Sequence, residues 1–219
     1  MPLRARQKRG TPPGRHTPMP LGAGKNKERW MKMSKQQWKP GNMVYPLPAV
    51  MVSCGDKSGK INVMTAAWTG TICSDPAMVY VSIRKSRYSH AIIKETGEYV
   101  INLTTEALAY ATDFVGVKSG KDMDKFKAMH LTPVKGTLHY APMIDESPVC
   151  IECKVENIQE LGSHDMFIAR VVAVYADEKY MDKNGKFDLE KAKPLIYSHG
   201  QYYGTGRHIG KFGYSVQKK

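Results

Sequence analysis

Cysteine is scarce in this chain, and long apolar runs are missing. Four cysteines in 219 residues are too few for the disulfide framework of a secreted domain, so a reducing, cytoplasmic setting is expected. No stretch approaches the roughly 18 consecutive apolar residues of a membrane span, and no membrane association is expected. The N-terminus lacks the apolar segment of a secretory signal. Acidic residues are almost absent from residues 1–32, where Glu28 stands against nine Lys or Arg. In the remainder, 24 Lys or Arg face 19 Asp or Glu. The net charge of +13 therefore belongs mostly to a tail rather than to a folded face, which argues against a nucleic-acid partner.

That tail is rich in Pro and Gly (T-P-P-G-R-H-T-P-M-P-L-G-A-G-K) and shows no periodicity that could build a core, so residues 1–40 are expected to form a disordered basic extension. Three origins compete for it: upstream translation ahead of a start near Met31 or Met33, a basic arm for polyanions, and a targeting segment. Residues 41–219, in a chain that is 42% hydrophobic and 24% charged, suffice for one domain with its own core.

Within that domain Tyr45–Cys54 reads as a strand entered through two prolines. Gly55–Lys60 is turn chemistry, and Ile61–Trp68 a second strand that ends in small residues. Ser74-Asp75-Pro76 breaks the chain before a third strand, Met78–Ile83. A short helix is predicted over Ser89–Lys94, a strand over Glu98–Leu103, and a helix over Thr104–Phe114 capped by Thr104 or Thr105. Another short helix is predicted over Asp122–Met129. Val149–Ile158 and Met166–Ala176 read as long strands turning at Gly162-Ser163-His164. The stretch from Lys193 onward resists assignment. The order lacks the strand–helix alternation of a doubly wound parallel sheet. A mainly β (α+β) fold, an antiparallel Greek-key barrel with a few short helices, fits instead.

The richest chemistry lies between Asn62 and His90. Small residues at Thr65-Ala66-Ala67 let a flat ring approach the backbone. Arg84, Lys85 and Arg87 follow the third strand, then Ser89 and His90. Guanidinium forks match phosphate oxygens, and a helix beginning at Ser89 would aim its amides at an anion. Arg87 is the first candidate phosphate ligand and Arg84 the second, while strand alternation turns Lys85 toward solvent. The competing reading is a solvated basic turn with a routine cap. A ligand with a polar ring at one end and a phosphate at the other suits this order, and flavin mononucleotide (FMN) is such a ligand.

Cys150-x-x-Cys153 falls on a strand, where positions three apart face opposite sides. With no second such pair to complete a metal site, structural cysteines are favoured over a redox or zinc pair. Cys73 is the thiol nearest the candidate site. Trp68 lies either beside the ring or in the barrel core, and core is favoured. The histidines at 130, 139 and 208 show no metal-ligand spacing, and no metal is expected.

The ordered set Asn62-x-x-Thr65-Ala66-Ala67-Trp68, Ser74-Asp75-Pro76, Val81-Ser82-Ile83-Arg84 with Arg87-Tyr88-Ser89, Tyr99–Leu103, Gly162-Ser163-His164 and Pro194-Leu195-Ile196-Tyr197 resembles the flavin reductase-like, FMN-binding split β-barrel proteins, flavoredoxin among them. The resemblance runs from about Tyr45 to Ser215. It implies a homodimer with FMN near the subunit interface. It implies Asn62, Met64, Thr65, Ala66 and Ala67 along the flavin, with Ser82, Ile83, Arg84, Arg87, Ser89 and His90 completing the cofactor site. His164 would lie on the open flavin face and position a nicotinamide. Two activities follow: a flavin reductase taking hydride from NAD(P)H, and a flavoredoxin-like carrier passing electrons to a redox protein. A non-catalytic flavin-binding module is the alternative.

Overall fold

The computed structural model describes residues 34–217. Most of the expected basic extension, through Met33, lies outside the described residues. The strands are β1 (Leu47–Pro48), β2 (Val50–Gly55), β3 (Ile61–Ala66), β4 (Thr69–Ser74), β5 (Ala77–Arg84), β6 (Glu98–Leu103), β7 (Pro133–Val134), β8 (Met143–Ile144), β9 (Val149–Leu161), β10 (His164–Ala176), β11 (Leu195–Ser198) and β12 (Gln201–Gly204). The α-helices are α1 (Tyr88–Thr96), α2 (Ala109–Val117) and α3 (Lys125–Ala128).

Seven strands form one sheet in the order β3-β2-β6-β9-β10-β5-β4, with every neighbouring pair antiparallel. The two edge strands, β3 and β4, are consecutive in the chain and separated only by Ala67 and Trp68. Two residues span about 11 Å at most, so the edges must meet and the sheet must curl into a barrel. The expected antiparallel barrel with few short helices is the observed fold.

The barrel interior is filled by Val50, Val52 and Cys54 of β2, Val79, Val81 and Ile83 of β5, Tyr99 and Ile101 of β6, and Phe167 and Ala169 of β10. The other face of β2 and β3, through Met51 and Val63, packs on Val115 of α2 and Phe126 of α3. Covering on both faces explains why β2 is an unbroken buried run, whereas β5 alternates. Cys150 joins Val100 and Leu138 outside the barrel, while Cys153 faces its interior. All four cysteines are free thiols, and the opposed placement fits structural roles for this pair.

Several local expectations need correcting. The second strand stops at Ala66, and Thr69–Ser74 is a strand of its own. Its exposed, polar composition gave little apolar alternation to read. The segment after Thr104 begins as a 3₁₀ turn, Glu106–Leu108, before α2, and neither threonine caps it. Thr104 Oγ1 instead donates to Ala49 O at 2.6 Å, so a sheet contact outcompetes the cap. The stretch after Lys193 forms the β11–β12 hairpin, which pairs with β1. Trp68 is half-buried rather than part of the core, because it sits at the β3–β4 corner.

Candidate functional site

At one end of the barrel a cavity of about 230 Å³ is lined by Asn62, Met64, Arg84, Ser86, Arg87, Tyr88, Ser89, Lys118, Ser119, Gly120 and Lys125. Five elements converge there. β5 delivers Arg84 at its last position, and a tight turn, closed by Arg87 N–H donating to Arg84 O at 2.9 Å, carries the chain into α1. Arg87 is the N-cap residue of α1, so the Tyr88 and Ser89 amides have no helical carbonyl ahead of them, whereas His90 N–H donates to Arg87 O at 3.0 Å. The helix ends one residue after Thr96, at Gly97, whose φ of 70° suits the left-handed terminating position.

The wall is held by specific bonds. Asn62 Nδ2 donates to Ser89 Oγ at 2.8 Å, fixing β3 to the first turn of α1. Arg87 Nη1 donates to Gly116 O at 2.7 Å, tying that turn to α2. A Cβ at Gly120 would stand 2.1 Å from Asn62 Oδ1 and 3.1 Å from the Tyr88 ring, so only glycine lets this loop close against them. Lys125 is 4% exposed. Its Nζ donates to Val115 O at 2.9 Å and Lys118 O at 3.2 Å. Burial, and then the neighbouring Arg87 charge, push Lys125 down to about 8. Four cations line the cavity and no carboxylate does. Four cations, three serines and a helix N-terminus form a donor set whose chemistry suits an anion.

Beside the cavity lies the outer face of β5 and β10. In register, Arg84 stands opposite His164, Ser82 opposite Met166 and Tyr80 opposite Ile168. Trp68 lies nearly parallel to His164, with ring centroids 6.4 Å apart and an interplanar angle of 9°, and tilts against Tyr197 at 6.5 Å. Ser163 Oγ and His164 Nδ1 are 2.9 Å apart. Partial burial, and then the Arg84 charge, hold His164 below the usual histidine range, so its neutral form dominates at neutral pH. Arg84 thus joins a cationic cavity to a flat aromatic ledge.

The predicted site residues divide under this geometry. Asn62, Met64, Arg84, Arg87 and Ser89 line the cavity. Ser82 and His164 lie on the adjoining face, and Ala67 sits half-buried at the corner with Trp68. Ala66 and Ile83 point into the barrel core, because alternation along their strands turns them inward, so only their backbones are free for a ligand. Thr65 Oγ1 donates to the Thr112 carbonyl and faces α2. His90 is turned away: its Nε2 lies 2.8 Å from Asp165 Oδ2, and it packs edge-on against Phe167. Lys85 is exposed, with Nζ 3.4 Å from both Glu160 and Asp165 Oδ1.

Sequence reasoning missed Ser86 and Tyr88 beside the arginines, and Lys118, Ser119, Gly120 and Lys125 farther along the chain. The signal for the latter was a Lys/Gly/Ser-rich loop about 35 residues after the arginines, and nothing local shows that it folds back onto them.

Residues 42–206 match the family model of the flavin reductase-like domain. An uncharacterized protein of Archaeoglobus fulgidus is 32% identical over 162 residues, 74% of this chain and 89% of that protein. The structure of flavoredoxin from Desulfovibrio vulgaris (Miyazaki F) superposes with a TM-score of 0.78 at 32% identity, covering 84% of this chain and all of that one. Flavoredoxin from Methanosarcina acetivorans gives 0.76 at 29% identity, again with 84% of this chain and all of the other.

Proposed function

This chain belongs to the flavin reductase-like domain family, with the flavin-related redox function that membership carries, and on that premise we propose that it is an FMN-binding oxidoreductase. The observation that supports FMN over an unphosphorylated flavin is the acid-free cavity holding Arg84, Arg87, Lys118 and Lys125. Such a cavity is costly without an anion and favourable with one. The residues present fit the group.

When bound, FMN supplies the hydride-accepting and electron-releasing chemistry. The protein's part is placement. Arg84, Arg87, Lys125 and the α1 amides hold the phosphate, with Ser89 oriented by Asn62. The Thr65–Ala67 segment offers peptide groups and little side-chain bulk to the ring. His164, neutral and stacked with Trp68, provides a flat surface on which a nicotinamide of NAD(P)H would be oriented. Its Nδ1 contact with Ser163 holds the imidazole in place.

A second reading, an electron carrier acting on a redox protein partner, is favoured by the similarity to two flavoredoxins. A homodimer belongs to the same proposal. Tyr80, Met166 and Ile168 lie half-buried on the outer face, a surface a second copy would cover. We place the protein in the cytoplasm, in keeping with its four free thiols. Among the described residues no helix is long and apolar enough to cross a membrane.

The test is a visible spectrum of the purified protein, followed by NADH and NADPH titration under nitrogen. Flavin absorbance that bleaches with nicotinamide supports the reductase. Flavin that bleaches only with a reduced protein donor supports the carrier. Protein that takes up no FMN at micromolar concentrations refutes both.

A further inference from the structure

We infer that Lys125 couples anion capture to proton uptake, so that the cavity takes a phosphate dianion together with a proton on the Lys125 amine. This rests on the FMN reading and adds a pH dependence to the same site. The geometry carries it. Lys125 is nearly inaccessible and spends two N–H groups on Val115 O and Lys118 O, which leaves one for the cavity it lines.

The charged groups around it share its sign. Arg87, in the turn before α1, is the cation that acts on it, and Arg84 at the end of β5 and Lys118 after α2 line the same cavity. Beneath, Cys54 of β2 offers no counter-charge, because burial pushes its thiol up to about 12. Asp56, in the turn after β2, is engaged by Ser58 and by the Lys60 amide. On the Lys125 side of the chain, Asp122 and Asp124 are exposed, and Asp124 caps α3 by accepting from Lys127 N–H at 3.1 Å. An amine buried away from water, and then set beside the Arg87 charge, sheds its proton more readily than a free lysine. A dianion a few ångströms away reverses that preference. Binding above the free amine's titration therefore draws one proton from solvent, with no bond made or broken beyond the new N–H.

The experiment is calorimetric titration of FMN into the full chain in two buffers of different ionisation enthalpy, with riboflavin as the phosphate-free control. Expected is proton uptake approaching about one per FMN at pH 9 and close to none at pH 7, with Kd rising toward about tenfold per pH unit above pH 8. Riboflavin shows no such slope. Lys125→Arg keeps its charge and flattens the profile, and Lys125→Gln flattens it with weaker binding at pH 7. FMN binding that is pH-independent and proton-neutral overturns this inference while leaving the FMN site standing. So does an equal slope for riboflavin, or a Lys125→Arg profile identical to wild type. Absence of FMN binding at every pH overturns both readings.

Discussion

Arg87→Ala separates the proposed phosphate site from the rest of the molecule. The guanidinium is half-buried and makes one internal bond, to Gly116 O. Its loss leaves that carbonyl without this donor, a cost of about 1 kcal/mol to folding. The larger effect falls on the ligand. Removing charge-assisted bonds to a phosphate costs about 1.5–3 kcal/mol, which is about a 10- to 150-fold rise in the FMN Kd. Riboflavin binding should hardly change. The pH profile should also move: Arg87 is among the causes that hold Lys125 near 8, so its removal shifts the alkaline loss of affinity upward. The assay is quenching of flavin fluorescence at pH 7, repeated to pH 10, with a denaturation curve to confirm the fold. An FMN Kd within twofold of wild type in a folded variant would show that the phosphate lies elsewhere.

Gly120→Ala places a Cβ against Asn62. It should cost about 1–3 kcal/mol of stability through forced displacement and loosen FMN as Ser89 loses its partner. Unchanged FMN affinity and an unchanged urea midpoint would refute the tight closure of that loop. His90→Ala leaves the Asp165 carboxylate, 1% exposed, without its principal partner, and should destabilise by about 3–5 kcal/mol in urea. A loss below 1 kcal/mol would rule the pair out as a structural tie. Burial raises Asp165, but bonds from His90 and Lys85 outweigh that and hold it below 3.8. Its contribution is therefore complete above pH 3.8 and is lost as pH falls through the lower folded value. Asp165→Asn should lack that acid-limb loss, and an acid limb identical to wild type would contradict the assignment. His164→Ala should lower the rate of flavin reduction by NAD(P)H at least tenfold and leave the FMN Kd within about threefold, since the residue lies on the ledge rather than in the cavity. Equal rates in stopped-flow measurements would remove its positioning role.

Much of this was legible in the chain because strands and turns leave local marks. Alternation marked β5 and the Asp75-Pro76 break marked its start. The cations from Arg84 to Arg87 placed one wall of the cavity within a few residues. A helix beginning near Ser89 could be read from the same stretch, although its N-cap proved to be Arg87. Cys150 and Cys153 could be set on opposite faces from strand geometry alone. Other features depended on neighbours. His90 reads as a site residue until Asp165, 75 positions later, pairs it with β10. Ile83 reads as part of the motif until the curl of the sheet makes its side chain interior.

Sequence by itself determined six of the seven barrel strands, the family resemblance and one arm of the cationic cavity, since each is written in short-range pattern and residue chemistry. Only the tertiary structure decided that Lys118, Gly120 and Lys125 complete that cavity, and that Trp68 lies parallel to His164. A barrel brings distant segments together by covering surfaces and pairing strand edges, and such contacts carry no local periodicity by which the chain could announce them.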